Sequence, residues 1–515
     1  MIKNIIKIAL SAGVLLFTTA GCTDNFEKLN TNQYQIHNAD APTLIQSLIE
    51  SLVNIQENDS QMTDQMVGQL GGYFVCSNTW SGTNFATFNQ SDNWNSIPWE
   101  NSFKNVYGNY FKIKAATKSS GHYYAFATLM RAINMLRVTD IYGPMPYTQV
   151  RDGNFYTAYD SEIAVYEAIL ADLEFAATTL YEYHVESSGH APLGVKDPVY
   201  FGDYSKWAML ANSMRLRVAM RISNEYPEIA KENAEKAVAH EAGMLEANGD
   251  NAMLSVGGKN NPYHLASVSW GDLRINANIV DYMKGYNDPR SAQYFEYSTF
   301  TGATKEYIGM RIGEGSFDKK SVSGYSVPKI TEKSSLLVFC AAETAFLKAE
   351  GKLRGWNVGA GSAQSYYEKG IKLSMDQYGV SMPADYLTSE NVPVGHENDP
   401  RGVKYNIALN NVVTAGWNAA DPFEKNLQRI ITQKWIANFP LGLESWAEYR
   451  RTGYPELYPV IDNLSPSNVD SSRGMRRLRY PYTEVQNNKL NYQNALNFLK
   501  GPDTEATDLG WGKKK

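Results

Sequence analysis

The chain is poor in the residues from which metal sites and many catalytic sites are built. It has 3 Cys and 7 His among 515 residues, and neither type occurs in an HExxH, CxxC or other paired metal-ligand spacing. It also lacks a phosphate-binding Walker A loop, a dinucleotide-binding GxGxxG turn and a GxSxG nucleophile elbow. We therefore predict no cofactor and no metal site, and no motif identifies a catalytic residue.

Excess positive charge and long apolar runs are absent as well. The chain has 48 Lys and Arg against 54 Asp and Glu, a net charge of -6, and its basic residues form no cluster of the kind that binds nucleic acid. The N-terminal apolar stretch Ile8–Phe17 has about half of the roughly 20 residues that a transmembrane helix needs. We therefore predict no nucleic-acid partner, and we interpret this stretch as a signal sequence.

The first residues have the order of an exported bacterial lipoprotein. Two lysines precede the apolar stretch, and Ala20-Gly21 provides small residues directly before Cys22. Thr19 stands where such sites usually carry Leu, and an ordinary secretory signal with a coincidental cysteine is the alternative. We predict a signal peptide over residues 1–21, acylation of Cys22 and a polar tether over 22–41. The mature chain would have 46 basic and 54 acidic residues, a net charge of -8.

Acylation of Cys22 would leave two cysteines far apart in the sequence, Cys76 and Cys340. Two thiols exclude a disulfide framework, although one bridge between them stays open in an oxidising compartment. Cys340 lies in the apolar run LLVFCAAETAF, where we expect it to be a small buried hydrophobic residue.

Helical periodicity dominates the body, which we place at residues 42–515. A single compact core stops growing at about 250–300 residues, so this length indicates several domains or an extended helical array. Neighbouring amphipathic segments such as 162–180, 205–222 and 227–242 predict antiparallel hairpins of the tetratricopeptide type. The fold class that we predict is mainly α, with about four such pairs, a loop-rich half and minor β structure.

Aromatic residues are abundant, with 34 Tyr, 10 Trp and 19 Phe. Most are expected to pack in the core, but two stretches without sustained helical period, near 76–98 and 246–335, set aromatics among polar residues. A ring in such a loop offers a flat apolar face that can stack on a sugar. The candidate ligand-binding residues are Trp80, Phe85, Asn93, Trp94, Tyr263, Trp270, Tyr297 and Tyr325.

Several segments resemble the SusD/RagB family of nutrient-binding outer-membrane lipoproteins, in particular its SusD-like second subfamily. They are TDIYGPMPYTQV (139–150), YDSEIAVYEAILADLEFA (159–176), KWAMLANSMRLRVAMR (206–221), YMKGYNDPR (282–290), AAETAFLKAEGKLRGW (341–356) and ITQKWIANFPLGLESWAEYRRTGYP (431–455). The resemblance implies a helical scaffold with an elaborated ligand-binding half. It also implies a non-catalytic protein of the outer membrane, facing the exterior, that captures oligosaccharides or other nutrients for a SusC-like TonB-dependent transporter.

Three alternatives remain open at this stage. Within the same family the nutrient could be a peptide or another compound. An exported all-α glycosidase would need a pair of carboxylates, and Glu343 and Glu350 share one helix face, although a solvated or salt-bridged face explains them as well. A scaffold that holds a partner protein would keep the hairpins but would leave the loop insertions unexplained.

Overall fold

The computed structural model describes residues 40–154 and 156–513, and this part of the chain is mainly helical. The predicted signal peptide, Cys22 and nearly all of the predicted tether lie outside the described residues. The α-helices are α1 (Ala41–Ile49), α2 (Glu57–Ser60), α3 (Asp92–Thr117), α4 (Gly121–Tyr142), α5 (Glu162–Glu186), α6 (Tyr204–Arg221), α7 (Pro227–Ala239), α8 (Pro262–His264), α9 (Ala277–Gly285), α10 (Ser291–Tyr294), α11 (Ala341–Leu353), α12 (Ala363–Gln377), α13 (Phe423–Ala437), α14 (Gly442–Thr452), α15 (Tyr482–Asn487) and α16 (Lys489–Leu499).

The β structure is small, as predicted. Strand β1 (Phe74–Cys76) pairs antiparallel with β3 (Leu273–Ile275), and β2 (Ala252–Leu254) pairs antiparallel with β4 (Leu336–Phe339). The apolar run that begins at Leu336 continues into α11, and helical periodicity predicts one helix over both. The structure instead places β4 at the start of this run, because a short apolar run is compatible with a strand or a helix. The predicted fold class is confirmed.

The long helices pack side by side in chain order. Helix α3 contacts α4, α4 contacts α5, α5 contacts α6, and α6 contacts α7, while α11 packs on α12, α13 and α6. Trp207, Trp435 and Trp446 fall on helical patterns in the sequence, which predicts that they pack in the core. They are 0%, 3% and 1% exposed. No helix in the described part of the chain is long and apolar enough to cross a bilayer.

A buried ionic cluster joins α6, α11, α13 and α14 inside this scaffold. Glu448 on α14 is its centre, because the carboxylate meets Arg221 at 2.6 Å, Arg451 at 2.8 Å and Lys434 at 3.0 Å. All of these side chains are less than a tenth exposed. Burial alone would raise the pKa of Glu448, but the three cations outweigh it and hold the pKa well below its usual value.

The two glutamates considered for a glycosidase also belong to buried ion pairs. Glu343 receives two hydrogen bonds of 2.7 Å from Arg217, and Glu350 receives two of 2.7 Å from Arg451. Glu343 and Glu350 are 0% and 1% exposed. The interpretation of this helix face as salt-bridged is therefore confirmed, and its interpretation as solvated is wrong. Neither carboxylate is placed to exchange a proton with a substrate.

The two cysteines of the described chain are both buried and free. No bridge forms between Cys76 and Cys340, and Cys340 is 0% exposed, as its apolar surroundings in the sequence predict. Burial raises the pKa of the Cys340 thiol to about 12, so this group stays protonated and unreactive at neutral pH.

Candidate ligand-binding site

The pairing of β1 with β3 brings the two predicted loop regions together. In this register Cys76 faces Leu273, and the backbone N–H of Ser77 donates to the Asp272 carbonyl at 2.8 Å just beyond the strand ends. The Ser77 hydroxyl also donates to the Gly271 carbonyl at 2.9 Å. The segment that leads to Trp80 therefore lies beside the segment that carries Trp270.

Asp272 is the polar centre of this junction. Its carboxylate accepts hydrogen bonds from Asn78 at 3.2 Å and from Gln61 at 3.3 Å, and it forms an ion pair with Lys319. The Lys319 ammonium also donates to the Trp270 carbonyl at 2.7 Å. Three segments that are distant in the sequence are thus fixed to one another next to the tryptophans.

Trp80 and Trp94 form an aromatic pair at this junction. Their ring centroids are 5.6 Å apart with the planes nearly perpendicular, an edge-to-face arrangement. Trp80 is held in the left-handed region at φ +47°, and its backbone N–H donates to the Asn78 side chain at 3.0 Å. Both residues are half-buried, so each keeps part of its surface open to solvent. Trp270 is also half-buried, and it is placed near this pair by the hydrogen bonds of its segment and not by a ring contact in the described chain. We call Trp80, Trp94 and Trp270 the tryptophan surface.

Trp94 and Asn93 lie on a helix and not in the loop that the sequence predicts. Helix α3 begins at Asp92, and the Ser91 hydroxyl accepts the Trp94 N–H at 3.2 Å as an N-cap. Ser91 is the kind of residue that starts a helix, but the Asn- and Ser-rich surroundings hide that signal. Asn93 directly precedes Trp94 in this first turn and is exposed.

Three of the predicted aromatics are inside the protein. Phe85, Tyr263 and Tyr325 are 0%, 3% and 3% exposed. Tyr263 packs against Phe74 with centroids 5.2 Å apart, and Phe85 lies 6.4 Å from the Trp94 ring, behind it. The faces of these rings are already covered, so the three residues support the surface and do not form it.

Tyr297 lies on a separate part of the second loop region. Its ring stacks on Tyr307 with centroids 4.7 Å apart and planes 16° from parallel, and the residue is 46% exposed. One face is therefore occupied and the other is open. The structure places this pair on the 295–307 segment and gives it no ring contact with the tryptophan surface in the described chain.

The two loop regions share a small core of their own. It is formed by Val75, Ala86, Met310, Ile312, Val322 and Tyr325. This core, with Phe300, Ile308 and Phe317 packed against it, makes the loops a structured lobe. The stretch 246–335 also contains β2, β3 and α9, so it is more ordered than its sequence indicates.

A histidine clamp joins the lobe to the later loops that carry His396 and Tyr458. The two ring nitrogens of His396 lie 3.0 Å from Asp281 on α9 and 2.9 Å from Asp399. Asp399 also accepts the Tyr325 hydroxyl at 2.8 Å, and Asp281 accepts that of Tyr458 at 3.0 Å. Burial alone would lower the pKa of His396, but hydrogen bonds to both carboxylates outweigh it and raise the pKa to about 9.

This clamp predicts a loss of stability in mild alkali. A histidine pKa of about 9 in the folded state, above the ordinary 6.5, stabilises the fold fully below pH 6.5, and the contribution disappears as the pH rises to 9. We expect the free energy of unfolding to fall by about 2–3 kcal/mol over this range. Urea unfolding at intervals from pH 6 to 9.5 measures the slope.

His396→Asn should remove most of that slope and leave a less stable protein at pH 6. His190→Asn, a change at an exposed histidine, is the matched control and should keep the slope of the unchanged protein. Equal slopes for His396→Asn and the unchanged protein between pH 6.5 and 9 would contradict the clamp.

Sequence reasoning missed the polar residues that organise the site. Asn78, Asp272 and Lys319 are ordinary loop residues in the sequence, and only the β1–β3 pairing gives them a common position. The described residues contain no group of three or more His, Cys, Asp or Glu that could hold a metal ion. What the site offers is flat apolar surface beside hydrogen-bonding groups.

Comparison with known proteins identifies the family. The family model described as "SusD-like: Susd and RagB outer membrane lipoprotein" matches residues 22–512. Among curated proteins, none matches the chain significantly.

Solved structures agree with the family model. A SusD-like protein from Bacteroides thetaiotaomicron is 34% identical with a TM-score of 0.88, over 92% of this chain and 99% of that one. A SusD homolog from Bacteroides uniformis is 38% identical with a TM-score of 0.87, over 93% and 100%. A chitin-binding SusD homolog from Flavobacterium johnsoniae is 35% identical with a TM-score of 0.86, over 92% and 98%.

These matches extend over residues 22–512 for the family model and over 92–93% of the chain for the solved structures, including the lobe and the helical scaffold. They agree with the resemblance found in the sequence, and the family consists of binding proteins that catalyse no reaction. The protein therefore belongs to the SusD/RagB family of nutrient-binding outer-membrane lipoproteins.

Proposed function

We propose that the protein binds an oligosaccharide at the tryptophan surface and passes it to a SusC-like TonB-dependent transporter. The observation that carries the proposal is the fixed pair of half-buried indoles, Trp80 and Trp94, next to the segment of Trp270. Pyranose rings have apolar C–H faces that suit such indoles, and their hydroxyl groups suit amide partners such as Asn93. The chitin-binding relative from Flavobacterium johnsoniae, 35% identical, supports a glycan over a peptide.

The surroundings of the tryptophan surface support binding in a preformed site. Asp272 and Lys319 fix the flanking loops before any ligand arrives, which reduces the ordering cost of binding. Contact with several sugar units and a joint site with the transporter would add to a weak affinity for a single unit.

The domain organisation is part of the same proposal. Cys22 is acylated after removal of residues 1–21, and the tether predicted over 22–41 ends at Asp40, because α1 begins at Ala41. The body then lies outside the outer membrane. Labelling with radioactive palmitate tests the anchor. The unchanged precursor should incorporate the label, and Cys22→Ala should not.

A glycan-array screen followed by calorimetry on the soluble chain from residue 23 tests the ligand class. Mass analysis of every bound glycan after incubation tests for turnover. Saturable binding of an unchanged glycan is the expected result. Cleavage of the glycan would overturn binding without catalysis, and binding of peptides with no response to any glycan would replace the oligosaccharide by a peptide nutrient.

A further inference from the structure

One end of the helical body receives the chain from the predicted tether. The described chain begins at Asp40, whose two carboxylate oxygens each lie 3.0 Å from the ammonium of Lys196. The same ammonium donates to the Thr43 hydroxyl at 2.7 Å. Lys196 belongs to the connection between α5 and α6, so residues 187–203, the α5–α6 loop, lie directly beside the point where the tether enters.

The α5–α6 loop displays apolar side chains to solvent. Val195 is 90% exposed and Phe201 is 68% exposed, and Val185, in the last turn of α5, is 58% exposed. Single exposed apolar residues are ordinary, but three large ones around one short loop indicate a contact surface.

The loop has a fixed shape that keeps Phe201 outward. Asp197, which is fully buried, accepts N–H groups from Val199 at 2.9 Å, Gly202 at 2.8 Å and the Trp207 indole at 2.6 Å. Phe201 itself has φ +55°, in the left-handed region that disfavours a bulky side chain. The buried carboxylate maintains a strained backbone, and the result is an aromatic ring held in solvent.

Two positions within the loop, Gly194 and Gly202, approach each other closely. Gly202 has φ +88°, and a Cβ there would lie 2.8 Å from the backbone nitrogen of Gly194. Val195 and Phe201 thus project from one tight loop whose two ends touch. A rigid apolar projection loses little conformational entropy when it is buried in a partner.

Charged residues of both signs surround the loop. The α3–α4 turn lies at the same end, since His122 of α4 has its ring 3.9 Å from that of Tyr183 near the end of α5. Lys112 and Lys118 are exposed there, as are Glu182 and Glu186 on α5. These charges largely balance, so the apolar side chains would supply most of the affinity for any surface that the loop contacts. The lysines could form ion pairs with phosphate groups on such a surface.

We propose that this end of the body rests on the lipid surface, with Val195 and Phe201 entering its interfacial layer. The inference depends on the acylation of Cys22 that is part of the proposed function. The 18 residues from 22 to 39 can span at most about 60 Å, and they join the body at Asp40. Because the tether is attached at this end, this end can reach the bilayer with the least extension of the tether, and apolar and aromatic side chains are favoured in the interfacial layer.

This orientation explains how the lipid contact and the ligand site are kept apart. Trp94 lies in the first turn of α3, and the docked end lies at the last turn of the same helix, which has 26 residues. A helix of that length is about 39 Å long. The tryptophan surface would therefore stand far above the bilayer and face the exterior.

Environment-sensitive labels on the soluble chain test the proposal. The chain from residue 23, with an N-terminal histidine tag, is tethered to phosphatidylcholine–phosphatidylglycerol vesicles that contain a nickel-chelating lipid. The dye NBD is attached to Val195→Cys or Phe201→Cys, and to Val403→Cys as the control. Val403 is 85% exposed on another part of the surface, while Cys76 and Cys340 are buried and do not compete for the label.

On tethering, NBD at 195 and 201 should shift its emission to shorter wavelength and be quenched by nitroxide-labelled lipid, whereas NBD at 403 should do neither. A label at Val185→Cys should also shift, and should lose its shift in a chain that carries Val195→Ser and Phe201→Ser. A thermal melt of that chain checks that it is folded.

The proposal would be overturned if NBD at 195 and 201 showed no more emission shift and no more quenching by nitroxide-labelled lipid than NBD at 403. A shift that appears only when the transporter is present in the vesicles would also overturn it, because the loop would then contact protein. The tag replaces the acyl chain and no glycan is involved, so this result is independent of the glycan screen and of palmitate labelling.

Discussion

Glu448→Ala is expected to lower the free energy of unfolding by about 3–5 kcal/mol. The carboxylate oxygens of Glu448 lie 2.6–3.0 Å from side-chain nitrogens of Arg221, Arg451 and Lys434, and all four side chains are buried. Removing the carboxylate leaves three cations in the interior without their common partner, and water cannot replace it as it would on the surface. Urea unfolding at pH 7 measures the change.

Glu232→Ala is the matched control for this experiment. Glu232 is 2.6 Å from Lys236 in an exposed pair on α7, with the two side chains 62% and 53% exposed, and its loss should leave the free energy of unfolding nearly unchanged. Adding Lys434→Met to Glu448→Ala should recover part of the lost stability, because without Glu448 the buried Lys434 keeps only its longer ion pairs, with Glu444 at 3.6 Å and Glu343 at 3.8 Å. A cost below about 1 kcal/mol for Glu448→Ala would show that the cluster is not a stabilising unit.

The helical scaffold could be predicted because its information is local. Apolar residues at helical spacing identify α4, α5 and α6, and they assign Trp207, Trp435 and Trp446 to the core, where the structure places them. Arg290, which follows the turn residues Asn-Asp-Pro, forms a buried ion pair with Asp288 at 2.5 Å. In each of these cases neighbours within a few turns determine the environment.

The candidate site depends on contacts that no local pattern encodes. Cys76 and Leu273 pair across nearly 200 residues, and that pairing decides that Trp80 and Trp270 lie on adjacent segments. Composition identifies aromatic residues in loops, but it cannot separate Trp80, which stays half-open, from Tyr325, which is 3% exposed and donates to Asp399. A loop that builds its own small core buries some of its aromatics, and the choice is made by tertiary packing.

Trp80→Ala and Trp270→Ala are each expected to weaken glycan binding by at least about tenfold, which corresponds to about 1.4 kcal/mol. Truncation of a central aromatic residue commonly costs about 2 kcal/mol or more when the residue anchors a ligand. Trp80→Phe should retain more affinity than Trp80→Ala, because a flat apolar face remains at the same backbone position. Calorimetry with the glycan found in the screen gives the dissociation constants.

Phe423→Ala provides the control for this series, because Phe423 is an aromatic residue that is 40% exposed at the start of α13, where its ring lies 5.6 Å from the guanidinium of Arg354 at the end of α11. It should bind as the unchanged protein does. Thermal melting separates loss of binding from loss of fold, since Trp80 also packs on Trp94. Normal affinity in both Trp80→Ala and Trp270→Ala, with a loss in Tyr297→Ala, would move the site to the Tyr297–Tyr307 pair. That pair also offers an open aromatic face, so the three substitutions together decide which face the glycan covers.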